Sequence, residues 1–120
     1  MKTSSAKAKG RRLQAWVRDR VLDTFSGLSG DDVVSRSTSA PGEDIIFSKL
    51  ARSLVPFSIE CKMTEKFNAM KAYEQALSNA ADHMPVVVWS RNRNLVPLAV
   101  IAFDDLLILL DRLALAKDRV

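Results

Sequence analysis

The chain predicts an α/β fold. A single domain is expected, with a mixed β-sheet flanked by helices in the order α, β, β, β, α, β, β and a C-terminal helix to close. Three observations carry that expectation. Apolar residues recur at helical spacing in 11–25, 65–82 and 104–116. Short runs rich in β-branched and aromatic residues stand between them, as strands do. The chain has 120 residues, 48% hydrophobic and 27% charged, which suits one small globular core.

Residues 1–9 are small, polar and basic, so a flexible arm is expected ahead of a domain covering 10–120. From Arg11 to Phe25, apolar Leu13, Trp16, Val17, Val21 and Leu22 mark the inner face of a helix. Arg11, Arg12, Arg18 and Arg20 lie on its other faces, and Gly27 and Gly30 end it. Asp32 to Thr38 reads as a strand, and Pro41-Gly42 as the turn that delivers Asp44. Ile45 to Val55 reads as either a short helix or irregular chain. Leu54 to Ile59 then leads as a strand into Glu60-Cys61-Lys62.

The segment Glu65 to Asp82 is rich in Ala, Met, Lys, Glu and Gln, all strong helix formers, with Met70, Tyr73, Ala76, Leu77 and Ala80 as its expected buried stripe. Met84-Pro85 breaks it. Val86 to Trp89 is a buried strand, Arg91 to Asn94 a polar turn, and Leu95 to Ala102 the strand after it. A last helix runs from near Asp104 to about Ala116, with Asp104 and Asp105 favoured at its N-terminus by the helix dipole. Trp16 and Trp89 are expected as core aromatics, Cys61 as a small buried residue, and His83 as a cation at a helix C-terminus.

Composition narrows the function classes. The net charge of +4 and pI near 9.5 suit a nucleic-acid partner. One cysteine excludes an internal disulfide, and the basic N-terminus lacks the apolar core of a signal peptide. The apolar run Leu106 to Leu110 is too short to span a membrane. A soluble, cytoplasmic protein without a membrane partner is expected.

The chemistry concentrates at Asp44 and Glu60-Cys61-Lys62. Successive side chains of a strand point to opposite faces, so Glu60 and Lys62 share one face and Cys61 takes the other. Magnesium prefers oxygen ligands and keeps several waters, so one or two carboxylates, a backbone carbonyl and a substrate phosphate suffice. Asp44, Glu60 and the Cys61 carbonyl are that set, with Mn²⁺ as a substitute ion. Glu43 is the nearest carboxylate for a second ion.

Gly42-Glu43-Asp44-Ile45, Ile59-Glu60-Cys61-Lys62 and Glu74-Gln75-Ala76 together resemble the PD-(D/E)xK nuclease superfamily. More narrowly, they resemble its small phage and archaeal members, including Holliday-junction-resolvase-like endonucleases, over roughly residues 10 to 110. The resemblance implies a restriction-endonuclease-like core and Mg²⁺-dependent hydrolysis of phosphodiester bonds in branched or structured DNA. It also implies a homodimer working in a bacterial or phage-infected host cell. Asp44, Glu60 and Lys62 would be catalytic, and Gln75, on the helix facing the site, would contact the lysine or the DNA. The chain departs from the family where Glu43 replaces a proline before Asp44. It departs again in the first helix, where Gln14 stands in place of a glutamate; its amide oxygen is a ligand atom without negative charge. Asp19 or Asp23 would substitute only with the helix phased differently.

Lys7, Lys9, Arg11, Arg12, Arg36 and Ser39 are candidates for gripping backbone phosphates, contacts that fall off with salt and carry no sequence information. Plainer readings stand beside these. Asp44 also reads as a helix N-cap, Glu60 and Lys62 as a solvated cross-strand pair, Gln75 as an exposed helix residue, and the basic residues as a solvated face. Three function classes follow: an endonuclease for branched DNA, a nicking or repair nuclease for duplex or flap DNA, and a DNA-binding protein of the same fold without turnover.

Overall fold

The computed structural model describes residues 2–36, 41–92 and 96–118, with side chains from Ala6 onward. The order is α1 (Lys2–Thr24), β1 (Val33–Ser35), β2 (Ile45–Phe47), α2 (Lys49–Leu54), β3 (Phe57–Met63), α3 (Ala69–Asn79), β4 (Met84–Ser90), β5 (Leu98–Ile101) and α4 (Phe103–Asp118). This is the expected α/β class with its C-terminal helix. The strands divide into two sheets, where one was expected. β1 and β2 form an antiparallel hairpin with Val34 opposite Ile46, and β3, β4 and β5 form a mixed sheet in that order. β3 runs parallel to β4, which requires a crossover that α3 supplies, and β5 returns antiparallel. The break between the sheets follows from α2, which turns the chain before β3 can extend the hairpin.

Several boundaries differ from expectation for local reasons. Helix α1 begins at Lys2, so residues expected as a flexible arm are helical; alanines and lysines favour a helix, and Lys7 and Lys9 keep their charges in water. Leu13 and Val17 are buried as expected, but Trp16 is 44% exposed. One residue turns a helix by about 100°, which carries Trp16 off the face that Leu13 and Val17 share. The ambiguous stretch 45–55 resolves into β2 and α2. Ser48 caps α2 by accepting from the Ala51 N–H at 3.1 Å while its hydroxyl donates to Asp32 at 2.7 Å. Asp32 is held below the ordinary carboxylate range, first by the Ser29 N–H and then by Ser48.

Helix α3 is shorter than expected because the Asn68 side chain accepts from the Lys71 N–H at 3.0 Å and caps it. Its buried face is Ala72, Ala76 and Ala80, whereas Met70 and Leu77 are 65% and 55% exposed. Small alanines let the helix axis approach the sheet, and the larger residues are turned outward. His83 lies just past the helix, its Nδ1 3.3 Å from the Ala80 carbonyl.

Two apolar clusters hold the domain. Leu13, Val17, Val33, Ile45, Ile59 and Cys61 belong to the larger, between α1 and the strands. Ala72, Ala76 and Val87 form the smaller, between α3 and the three-stranded sheet. Ile59 and Cys61 point toward α1 and Glu60 toward α3, so the helices cover opposite faces of β3. Among the described residues no helix is long and apolar enough to cross a membrane.

Candidate active site

Asp44 is fixed by its backbone before its side chain acts. The Arg36 N–H donates to the Asp44 carbonyl at 2.8 Å, and the Asp44 N–H donates to the Ile59 carbonyl at 3.0 Å. The chain reaches this position through Gly42, whose φ of +107° lies in the region that favours glycine. Arg36 locks the same turn by donating from Nε to the Glu43 carbonyl at 2.6 Å. Residues far apart in sequence thereby become neighbours along the free edge of β3.

At that edge the Cys61 N–H donates to Asp44 Oδ2 at 2.7 Å. In a strand the N–H and C=O of one residue point to the same edge, so the Cys61 carbonyl also faces the Asp44 side. Glu60 is only 4% exposed. Its Oε1 accepts from Gln75 Nε2 at 3.0 Å, but its buried Oε2 has no hydrogen-bond partner among the described residues. Gln14, 6% exposed, has a buried amide oxygen in the same condition. Both residues line a cleft of about 450 Å³ together with Asp44, Lys62, Gln75 and Asn79.

Buried oxygens without donors are costly, and a hard cation is the partner that two carboxylates and neighbouring neutral oxygens suit. Among the described residues no three His, Cys, Asp or Glu side chains gather to hold an ion. The groups that could meet an ion at this cleft are the Asp44 and Glu60 carboxylates, the Cys61 carbonyl and the Gln14 amide oxygen. That set fits an ion which completes its shell with water and phosphate.

Electrostatics mark the same spot. Burial pushes the Glu60 carboxyl up to about 7, and the Asp44 charge adds to the rise, while Lys62 and Asn79 oppose it. Asp44 is also raised, by burial first, against the Cys61 N–H and the Lys62 charge. The Cys61 thiol is driven upward by burial and is no nucleophile near neutral pH.

A pH dependence follows. Both carboxyls bind protons more tightly in the folded than in the unfolded state. For Glu60 that contribution to stability is full below about 4.5, the ordinary glutamate value, and is lost as pH rises through about 7; Asp44 acts in the same direction. Without divalent ions, the wild type should lose about 1–2 kcal/mol relative to Glu60→Gln between pH 5 and 8, after allowance for solvent screening. Mg²⁺ at pH 8 should restore it. Urea denaturation at both pH values checks this, and parallel behaviour of the two proteins would contradict it.

The structure brings together Asp44, Glu60, Cys61, Lys62 and Gln75. Lys7, Lys9, Arg11 and Arg12 are exposed along α1, outside the cleft, and Ser39 lies outside the described residues. Asp44 caps no helix, since Ser48 caps α2, and Glu60 lies on a face covered by α3 with Lys62 half-buried beside it, so the two are not a fully solvated pair. Glu43 is not positioned for a second ion. It pairs with Arg52 and accepts from the Ser58 hydroxyl at 2.8 Å, because its carboxylate turns toward α2. Asp19 pairs with Arg18 at 3.2 Å.

Sequence reasoning missed Asn79 and Ser78 in this cleft, and Lys66 and Lys71 in an adjoining one of about 160 Å³ that shares Lys62 and Gln75. The spacing of Lys71, Gln75 and Asn79 puts them on one helix face, a signal that was available. Compared with known protein families, characterised proteins and solved structures, the chain matches none.

Proposed function

We propose that the chain is a metal-dependent DNA endonuclease of the PD-(D/E)xK type that hydrolyses phosphodiester bonds in branched or structured DNA and acts as a homodimer. The observation that carries this reading is the buried Glu60 carboxylate, one oxygen without a hydrogen-bond partner among the described residues, beside Asp44 and on the strand face of Lys62. Asp44, Glu60 and the Cys61 carbonyl would hold Mg²⁺, or Mn²⁺ in its place, with the Gln14 oxygen at the same cleft. When bound, the ion would polarise the scissile phosphate and lower the pKa of a water.

The protein's own groups do the rest. The Cys61 N–H holds Asp44, and Gln75 holds one Glu60 oxygen, so both carboxylates are oriented before substrate arrives. Lys62 neutralises charge developing on the phosphate. Lys66 and Lys71 continue the positive surface along α3, where the next phosphates of a strand would lie.

Gln14 favours a second reading, a binder of the same fold without turnover, because it adds no charge to the ion site. Labelled four-way junction, flap, duplex and single-stranded DNAs with Mg²⁺, Mn²⁺ or EDTA separate the two. Metal-dependent cutting that Lys62→Ala reduces by about 100-fold or more is expected, and the preferred substrate names the DNA shape. Tight binding without cutting on every substrate would establish the binder.

A further inference from the structure

Helix α4 is an apolar helix with no buried residue. Phe103, Leu106, Leu110 and Leu113 follow one another at three- and four-residue spacing and are 70%, 39%, 50% and 54% exposed. That spacing builds a continuous seam of the kind that seats against another surface. A single residue, Ala102, separates α4 from β5, and the molecule measures 54 × 30 × 28 Å. Connections between packed elements usually need about four to six residues, so α4 lacks the loop required to fold back onto its own sheet.

The same chain carries an unfilled apolar groove. Between α1 and the α1-side face of the sheet lies a cleft of about 260 Å³ lined by Trp16, Val21, Phe25, Val86, Val88 and Ala99. Trp16 stands at its rim with the Arg20 guanidinium 5.7 Å from its ring. The charges of the two elements are opposite. α1 is strongly basic, with Arg11, Arg12, Arg18 and Arg20 among its cations, while α4 sets Asp104, Asp105, Asp111 and Asp118 against Arg112 and Lys117.

We infer that α4 of one copy docks in this groove of a second copy, which returns its own α4 in exchange. The result is a two-fold homodimer by helix exchange. A two-fold axis pairs the same two surfaces twice, so each orphan surface is covered without leaving a free end. Short hinges of this kind favour exchange over folding back. The inference supplies the second copy that the nuclease reading uses, but its test reads assembly and not cleavage, so either can fail alone.

The full chain in a Trp89→Phe background, where Trp16 is the sole tryptophan, tests it by sedimentation velocity and fluorescence at tens of micromolar. A species of twice the 13.3 kDa chain mass is expected, with Trp16 emission shifted to the blue and returning on dilution. Leu106→Glu/Leu110→Glu should be a monomer with the red-shifted emission and an intact domain by circular dichroism, because those side chains are exposed. Ala99→Glu should break the dimer from the groove side. A monomeric parent overturns the proposal. So does a dimer whose Trp16 emission equals that of the monomeric variant, since α4 would then pair elsewhere.

Discussion

Glu60→Gln is expected to lower metal-dependent cleavage by roughly 1,000-fold or more while leaving DNA affinity within a few-fold. The substitution keeps the shape and the oxygen that meets Gln75, but removes the negative charge from the proposed ion site. The donor set would be left with Asp44 as its only carboxylate. On the proposed reading DNA would be gripped through lysines that the change does not touch, so the loss should fall on the rate and not on binding. Single-turnover cleavage and fluorescence anisotropy measured together check the division. A variant that cuts at the wild-type rate would remove Glu60, and with it this cleft, from the chemistry. The same variant should be the more stable protein at pH 8 without metal, because it no longer forces a carboxylate to ionise in a buried position.

Arg52→Ala is expected to cost about 3 kcal/mol of folding stability, a large share of the roughly 5–15 kcal/mol that domains possess. The Arg52 and Glu43 side chains are 21% and 14% exposed, and Arg52 also donates to the Phe57 carbonyl at 2.7 Å. Its guanidinium lies 4.9 Å from the Phe47 ring centre. Truncation leaves the Glu43 carboxylate with Ser58 as its remaining side-chain partner among the described residues and frees the turn next to Asp44, so cleavage should fall with stability. Glu43→Gln/Arg52→Met, which removes both charges and keeps most of the volume, should lose less than Arg52→Ala alone. Urea denaturation of the three proteins measures this. A loss under about 0.5 kcal/mol in Arg52→Ala would class the pair with solvent-screened surface bridges.

These expectations rest on features legible to different degrees in the residues. The Glu60 and Lys62 pair was legible because alternation along a strand is a local property. The Gly42 turn was legible for the same kind of reason, since its φ restricts the residue that can stand there. The face of α3 was legible in part: Ala76 and Ala80 are buried as expected, while Met70 and Leu77 are exposed. The expected stripe mixed large and small residues, and the close approach of the sheet buries its alanines, with Ala72, while turning Met70 and Leu77 outward. Glu43 was read as a spare carboxylate because its partner Arg52 lies on a helix whose existence was itself ambiguous.

What the chain determined by itself was therefore the α/β class, the turn before Asp44, and the common face of Glu60 and Lys62. Each depends on backbone preferences within a few residues. Only the tertiary structure decided that the Cys61 N–H holds Asp44, that Gln14 and Glu60 bring to one cleft two oxygens without a partner among the described residues, and that the strands form two sheets. It also left α4 exposed. These outcomes join segments distant in sequence, and such contacts are selected by how whole faces pack and which polar groups that packing leaves buried.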